Sequence, residues 1–281
     1  EILTRTYILY YWKICKMRDL LVRSLSGLIY VALILSTLFL DRNWTVVLFG
    51  LLGLLTLHEL LNLLRSKSFL PYLLLFTGFV LLYIEKDTIF VPAILIASCI
   101  FNVILAYQLF TSIQLKNNLL YRYGLSFLYL IGGFMFITKI ADADLVNYPS
   151  KLLVSIFLLI WACDSFAYLI GVNFGKRKLF PSVSPNKSVE GFIGGLSGAV
   201  LVSIIVALKI YPSIAIGNWI IIAILTSTLG TIGDLVQSKL KRTAGVKDSG
   251  KIMPGHGGIY DRLDSIIYAS PFIYAYLYFI I

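Results

Sequence analysis

The stretch IFVPAILIASCIFNVILAYQLF, residues 89–110, decides the fold because it contains no charged residue. It is long enough to cross the hydrocarbon core of a bilayer as a helix, which takes about 20 mostly apolar residues. The rest of the 281-residue chain is similar, since 59% of its residues are hydrophobic and 14% are charged. Its mean hydropathy of +0.88 is far above that of soluble proteins. The composition therefore predicts an integral membrane protein.

Eight further apolar stretches predict more membrane-spanning helices. They cover residues 24–40, 44–64, 69–84, 122–138, 151–172, 192–209, 216–236 and 263–281. No segment shows the alternating pattern of membrane β-strands. The predicted fold is therefore all-α, a polytopic integral membrane helical bundle with about nine transmembrane helices. Residues 1–23 are expected to form a cytoplasmic or interfacial segment, with 1–16 as a candidate extension, and residues 24–150 form the N-terminal membrane helices.

The basic residues are distributed unevenly between the two ends of the predicted bundle. Nineteen of the 24 lysines and arginines lie on the side of the N-terminus, and five lie on the other side. Because cytoplasmic loops carry the excess of lysine and arginine, this bias predicts a cytoplasmic N-terminus and an external C-terminus. The predicted location is the inner (cytoplasmic) membrane, with loops 173–191 and 237–262 facing the cytoplasm.

Four carboxylates mark the C-terminal region, residues 151–281, as the predicted catalytic part of the chain. Asp164 lies in the sixth span and Asp234 near the end of the eighth, and Asp261 and Asp264 are three residues apart where the ninth begins. A carboxylate at membrane depth requires a cation, an ion-pair partner or a water-filled cavity. Carboxylate oxygens suit Mg²⁺, so all four are predicted metal ligands, with Mn²⁺ as an alternative and a second cation left open. Ion pairing with a lysine for Asp164, and a helix-dipole role for Asp264, are the competing interpretations.

Basic residues and glycines accompany these carboxylates on the same side of the membrane. The predicted nucleotide- and phosphate-binding residues are Lys187, Lys241, Arg242, Lys247, Gly257, Gly258 and Arg262. Glycines let the backbone approach a ligand and present N–H groups to phosphate oxygens, and arginine suits bidentate contact. The competing interpretation of the lysines is attachment to anionic lipid. It fits Lys187 and Arg262 less well, because they stand beside glycines and carboxylates.

The histidines and Glu59 leave alternatives open. His256 lies between glycines, where it is either a general base or a residue that hydrogen-bonds the backbone of a turn. Glu59 follows His58 within the second span. It either pairs with a basic group or lines a cavity, and the sequence does not decide between these roles.

The segment SKLKRTAGVKDSGKIMPGHGGIYDRLDS, residues 238–265, resembles the signature of the phosphatidate cytidylyltransferases, also called CDP-diacylglycerol synthases. The matching positions are Ser238, Lys241, Arg242, Lys247, Asp248, His256, Gly257, Gly258, Asp261, Arg262 and Asp264. The segment SPNKSVEGFIGG is similar to a second segment of that family, with Ser188 where threonine is usual. The specific match covers about a third of the chain.

The resemblance implies transfer of a cytidylyl group from CTP to phosphatidate, giving CDP-diacylglycerol and pyrophosphate in phospholipid biosynthesis. It implies a Mg²⁺-dependent direct displacement, in which metal neutralises the repulsion between the attacking and leaving phosphates. The implied catalytic residues are Asp234, Asp261, Lys187, Arg262 and His256. The expected partners are CTP, phosphatidate and membrane lipids, with no nucleic acid and a homodimer left open.

Three other functions remain as alternatives. A CTP-dependent polyprenol kinase or another lipid cytidylyltransferase would use similar chemistry on a different lipid. A cation transporter could use Asp164 and Asp234 as its ion site. A transporter would not explain a Gly-His-Gly-Gly loop with lysines and arginines concentrated on one side.

Overall fold

The computed structural model describes residues 2–84, 90–111, 118–143 and 150–280, with side chains described for 21–80, 90–111, 118–143 and 150–280. Most of this part of the chain is helical. The helices are α1 Ile2–Leu40, α2 Arg42–Leu63, α3 Leu70–Ile84, α4 Phe90–Phe110, α5 Leu119–Gly124, α6 Gly132–Asp142, α7 Lys151–Phe174, α8 Val189–Ile205, α9 Ile216–Thr243 and α10 Tyr260–Ile280. Two π-helical segments, Leu125–Ile131 and Val206–Ile210, continue α5 into α6 and extend α8. The predicted helical membrane protein is confirmed.

The hydropathy prediction placed each span close to an observed helix. Within the described residues, 8 helical segments are long and apolar enough to cross a membrane, including the continuous segment Leu119–Asp142. The stretch predicted over 69–84 corresponds to α3, whose 15 residues are fewer than the roughly 20 needed for a straight crossing. It is therefore the one predicted span that does not meet this length.

Several predicted boundaries differ from the observed ones. The helix α1 runs without a break across the predicted boundary at residue 23, so the N-terminal segment is continuous with the first span. The helix α9 continues to Thr243 and α10 begins at Tyr260, which narrows the predicted loop 237–262 to residues 244–259. Asp234 consequently lies more than two turns before the end of α9.

The loop between α7 and α8 contains a β-hairpin that the all-α prediction did not anticipate. Strand β1, Lys178–Phe180, pairs antiparallel with strand β2, Ser184–Ser188. Ser188 then caps α8 by accepting a hydrogen bond from the Gly191 N–H at 3.1 Å. A serine at this position therefore supplies the oxygen that a helix N-terminus requires.

Small residues bring the C-terminal helices into close contact. A Cβ on Gly233 of α9 would lie 2.5 Å from the Tyr268 Cβ and 2.8 Å from the Asp264 carbonyl oxygen of α10. A Cβ on Gly195 of α8 would lie 2.7 Å from the Cys163 carbonyl oxygen of α7. Backbones approach this closely in membrane bundles where glycine lines the interface. The packing holds the helices that carry Asp164, Asp234 and Asp264 side by side.

Alternation of the helices places both polar loops at one end of the bundle. The hairpin follows α7, and the 244–259 loop follows α9. Between them the chain crosses the bundle once through α8 and returns through α9, so both loops lie at the same end. Lys187 of the hairpin contacts Asp234 of α9. The loop contacts Ser26 of α1 and Glu59 of α2. Candidate site residues from five helices and two loops therefore meet at this end.

Candidate active site

An ion pair joins the hairpin to α9. The Lys187 ammonium on β2 contacts the Asp234 carboxylate, and about a third of each side chain is exposed (30% and 31%). Ser238, one turn further along α9, donates its hydroxyl to the other Asp234 oxygen at 3.2 Å. The structure thus brings together two residues that the sequence predicted to be catalytic.

Lys187 is held in its charged form by its neighbours. Burial opposes the charge on the ammonium, but Asp234, and then Asp264 and Asp164, outweigh that effect and raise the pKa of Lys187. A lysine in this state is a permanent cation at neutral pH. It can therefore neutralise the charge of a phosphate group placed beside it.

The other two membrane carboxylates lie close enough for their charges to interact with this pair. Asp264 is 8% exposed, and one of its oxygens accepts from the Ser265 N–H at 2.8 Å. Asp164 is exposed on α7, and its charge interacts with Lys187, Asp234 and Arg262. Among the described residues, no group of three or more His, Cys, Asp or Glu side chains is arranged to hold a metal ion. The predicted four-ligand metal cluster is therefore not formed in this arrangement, and these residues stay predicted ligands.

Asp261 is the most densely bonded carboxylate of the site. Its Oδ1 atom accepts from the Lys241 ammonium at 2.6 Å and from the Gln237 amide at 2.8 Å. Its Oδ2 atom accepts from the Ser249 N–H at 2.9 Å and the Gly258 N–H at 3.0 Å, and the Ser249 hydroxyl oxygen lies 3.1 Å away. Its side chain is 8% exposed. Binding a cation to Asp261 would require some of these four donors to leave, so its role as a metal ligand stays a prediction.

The predicted phosphate-binding glycines form a tight turn next to Asp261. Gly257 has a φ of +86°, which favours glycine, and a Cβ there would lie 2.9 Å from Asp261 Oδ2. The Met253 N–H donates to the Gly257 carbonyl at 2.9 Å and closes the turn. The Gly258 N–H is committed to Asp261, so it is not free for a phosphate in this arrangement.

His256 and Arg262 lie where the loop meets α1. The His256 Nδ1 atom is 2.6 Å from the Ser26 hydroxyl, and the Arg262 guanidinium donates to the His256 carbonyl at 3.0 Å. Burial, and then the charges of Arg262 and Arg23, lower the pKa of His256 below its ordinary value. The imidazole is therefore neutral at neutral pH. Its observed partner is Ser26, and its role as a general base stays a prediction.

Two of the predicted phosphate-binding residues lie outside this network. Arg242 is exposed in the last turn of α9, and its guanidinium donates to the Val246 carbonyl of the following loop at 3.3 Å. Lys247 is also exposed. The contacts of Lys241, in contrast, place it in the Asp261 cluster rather than at an open position.

Sequence reasoning missed three residues and left a fourth undecided. Gln237 and Ser249 hold Asp261, and Ser26 contacts His256, but none of the three stands out in the sequence. Glu59 is 2% exposed and contacts Ser249 and the start of α10. Its presence in an apolar span was the available signal, since a buried carboxylate needs a partner.

An apolar cavity of about 360 Å³ opens beside the same loop. It lies between α1 and the 252–259 part of the loop, and its wall includes Leu25, Ile29, Leu33, Met253 and Pro254. Ser26, the partner of His256, lines it as well. Several α1 side chains along it are exposed toward the outside of the bundle, including Leu25 at 62% and Ile29 at 57%. The polar site therefore adjoins an apolar space that is continuous with the membrane-facing surface.

The sequence of this chain matches a family of known proteins over nearly its whole length. The sequence model described as "Cytidylyltransferase family" matches residues 21–280. The chain belongs to the cytidylyltransferase family. The match includes every candidate site residue and all the helices from the membrane part of α1 to α10. The resemblance inferred from the two loop segments is confirmed and extends well beyond them.

Bacterial relatives of this family member cover it almost end to end. A protein of Staphylococcus saprophyticus named phosphatidate cytidylyltransferase is 34% identical over 261 residues, covering 90% of this chain and 96% of the relative. Proteins with the same name from Staphylococcus aureus and Staphylococcus epidermidis are 34% and 33% identical, with the same coverage. This cytidylyltransferase is accordingly an integral membrane nucleotidyltransferase.

Proposed function

We propose that this cytidylyltransferase transfers the cytidylyl group of CTP to phosphatidate, forming CDP-diacylglycerol and releasing pyrophosphate in phospholipid biosynthesis. The relatives named phosphatidate cytidylyltransferase support this choice of substrates. The observation that carries it in the structure is the Lys187–Asp234 pair, which lies at the loop end of the bundle near an apolar cavity. A water-soluble nucleotide and a membrane lipid can both reach such a position.

The basic residues supply the charge that the reaction needs. A phosphate oxygen of the lipid must attack the α-phosphorus of CTP, although both groups are anionic. Lys187 stays protonated and sits beside the carboxylates, so it can bind a phosphate oxygen at the reacting centre. Arg262 is exposed and presents a guanidinium suited to bidentate contact with a second phosphate. These two residues orient the anions, while Lys241 is held in the Asp261 cluster.

The donor set fits a divalent metal ion, which we propose to be Mg²⁺, with Mn²⁺ as a substitute and a second cation left open. Asp164, Asp234 and Asp264 supply hard oxygen ligands, and all three interact electrostatically with Lys187. Mg²⁺ is usually bound through one or two carboxylates, with water and substrate phosphates completing its shell. That mode does not require three side chains to converge. When bound, the metal would neutralise charge on the phosphates.

The apolar cavity beside His256 is suited to an acyl chain. Its wall is formed by aliphatic side chains of α1 and of the loop, such as Leu33 and Ile252. A lipid with its phosphate near Arg262 could extend a chain along α1 without leaving an apolar environment. Transfer of each buried CH₂ group from water would contribute about 0.8 kcal/mol, but a chain that moves here from lipid gains little. The cavity thus orients the lipid more than it strengthens its binding.

The charge distribution supports a cytoplasmic position for the site, in the inner membrane. The basic residues are concentrated on the side of the N-terminus, where the hairpin and the 244–259 loop also lie. We therefore propose that the N-terminus and the active site face the cytoplasm and that the C-terminus is external. CTP is available on that side. A homodimer remains open, and no nucleic-acid partner is proposed.

A panel of acceptors tests the proposed function. Purified protein in mixed micelles is incubated with Mg²⁺ and CTP labelled either in the cytidine ring or in the γ-phosphate, with phosphatidate, a different phospholipid, a polyprenol or no added lipid. The expected result is ring-labelled chloroform-soluble product with phosphatidate alone. Product with a different phospholipid acceptor would favour another lipid cytidylyltransferase. γ-Labelled lipid formed from the polyprenol would indicate the polyprenol kinase. If no acceptor gives a CTP-dependent lipid product, the result would favour the cation-transporter alternative.

A further inference from the structure

Glu59 is a carboxylate in a membrane helix whose contacts lie almost 200 residues away in the sequence. It is 2% exposed on α2 and accepts three hydrogen bonds. Its Oε1 atom accepts from the Ile259 N–H at 3.1 Å, and its Oε2 atom accepts from the Tyr260 N–H at 3.0 Å. The Ser249 hydroxyl donates to Oε2 at 2.8 Å. No basic side chain is among these partners.

The two backbone donors belong to the N-terminus of α10. The first N–H groups of a helix have no partner within the helix, and they favour a negative charge nearby. Glu59 supplies both the acceptor and the charge, but it does so from another helix. It therefore fixes the start of α10 against α2.

Ser249 links Glu59 to the site. Its hydroxyl lies within hydrogen-bond distance of Glu59 Oε2, at 2.8 Å, and of Asp261 Oδ2, at 3.1 Å. Its N–H donates to the same Asp261 oxygen at 2.9 Å. Two carboxylates from different helices thus hold the 244–259 loop through a single serine.

Glycines leave the space that this arrangement needs. A Cβ on Gly250 or on Gly258 would clash with the Glu59 carboxylate, and on Gly258 also with the Ser249 hydroxyl. The loop backbone is therefore packed directly on Glu59. The close fit indicates that the carboxylate has one position relative to the loop.

We propose that Glu59 is a positioning residue, which sets the location of Asp261, Arg262 and Asp264 by clamping the start of α10 and the loop before it. All three follow within about one turn of the clamped N–H groups, so a shift of the helix start moves them together. The inference rests on the proposed function for its kinetic consequences. The clamp itself is a feature of the fold and can be measured separately.

Replacing Glu59 with glutamine provides the sharpest variant. The amide keeps the size of the side chain but places an NH₂ group where one carboxylate oxygen was. In one orientation of the amide the NH₂ group faces the Ile259 N–H, and in the other it faces the Tyr260 N–H. Two donors then face each other in either case. The substitution thus breaks the clamp with almost no change in volume. Ser249→Ala is a milder companion that removes the hydroxyl shared by Glu59 and Asp261 and keeps the backbone N–H bond of residue 249 to Asp261.

The first measurement follows amide hydrogen exchange at residues 258–260 in the full-length protein. We expect Glu59→Gln to raise exchange there at least tenfold over wild type. Thr56→Val is the matched control, because Thr56 is buried on the same helix and donates only to the Leu52 carbonyl at 2.6 Å. Its exchange at 258–260 should stay within twofold of wild type. Unchanged exchange in folded Glu59→Gln would overturn the clamp, whatever reaction the protein catalyses.

The second measurement compares kcat, KM for CTP and the Mg²⁺ concentration for half-maximal rate. Misplacement of reacting groups by about 1 Å costs on the order of 100-fold in rate. We expect Glu59→Gln to lower kcat by about this factor and to raise the Mg²⁺ requirement, with Ser249→Ala in between and Thr56→Val like wild type. Kinetics within twofold of wild type in both Glu59→Gln and Ser249→Ala would contradict a positioning role.

If Glu59→Gln does not fold, Ser249→Ala alone decides between these outcomes. An inactive wild-type protein with the expected exchange pattern would count against the proposed reaction and not against the clamp.

Discussion

Lys187 and Asp234 form an ion pair that joins the hairpin after α7 to the interior of α9. The pair connects two residues that are separated in the sequence by the whole of α8 and most of α9. It also puts a permanent cation beside the carboxylates of Asp164 and Asp264.

Asp234→Asn should lower activity without lowering stability. The amide has the same size but lacks the charge that stabilises the Lys187 ammonium and that would bind a cation. We expect kcat to fall by about two orders of magnitude or more, the usual effect of removing one preorganised charge from a reacting centre. The purified variant should keep its wild-type apparent Tm within a few degrees, because the pair is partly exposed. Near-native activity of Asp234→Asn at low Mg²⁺ would show that this carboxylate is not part of the reacting centre.

Asp261→Asn should affect stability as well as activity. Asp261 accepts four hydrogen bonds, and an amide NH₂ in place of either oxygen would face donors from Lys241 or from the Ser249 and Gly258 backbone. Each buried donor left without a partner costs roughly 1–3 kcal/mol. We expect a lower apparent Tm in detergent together with loss of turnover. A variant with unchanged Tm would indicate that the hydrogen bonds to Asp261 do not hold the loop.

Gly233→Ala tests the contact between α9 and α10. The added Cβ would meet Tyr268 Cβ at 2.5 Å and the Asp264 carbonyl at 2.8 Å, so α10 must shift. Overpacking of this kind costs about 1–3 kcal/mol. Gly217→Ala, on the same helix, is the matched control because nothing lies within 4 Å of its added Cβ. We expect lower Tm and activity for Gly233→Ala only, and equal behaviour of the two variants would contradict the close packing.

Sidedness can be measured with single cysteines after Cys15, Cys99 and Cys163 are replaced. Val246→Cys lies in the 244–259 loop and is 41% exposed, and Ser213→Cys lies in the exposed connection at the other end of the bundle. A membrane-impermeant thiol reagent added to intact cells should label position 213 and not position 246. After permeabilisation both should react. Labelling of position 246 in intact cells would reverse the proposed orientation.

Much of the fold could be predicted because hydropathy is a local property. Each apolar stretch, such as residues 89–110, specifies a helix from its own composition and length. The ends of the helices were harder to predict from the sequence. The last turns of α9, up to Thr243, are as polar as a loop. The hairpin escaped prediction because its strands of 3 and 5 residues carry no clear periodicity.

The candidate site was predictable in its residue types but not in its pairings. The spacing of Asp261, Arg262 and Asp264 predicted a cation- and phosphate-binding segment, which stays a prediction. Nothing local indicates that Lys241 bonds Asp261 or that Glu59 reaches the start of α10, because those contacts depend on helix packing over long sequence separations. The sequence showed that Glu59 needed a partner, and only the structure identified Ser249 and the α10 backbone as that partner.

The position of the label transferred from CTP tests the central claim most directly. Purified protein is given phosphatidate, Mg²⁺ and CTP labelled either in its α-phosphate or in its γ-phosphate, and the chloroform phase is counted. Cytidylyl transfer predicts that the α-label enters the lipid and that the γ-label stays in the aqueous phase as pyrophosphate. Entry of the γ-label into the lipid would show phosphoryl transfer by a kinase, and absence of both labels from the lipid would contradict the proposed reaction altogether.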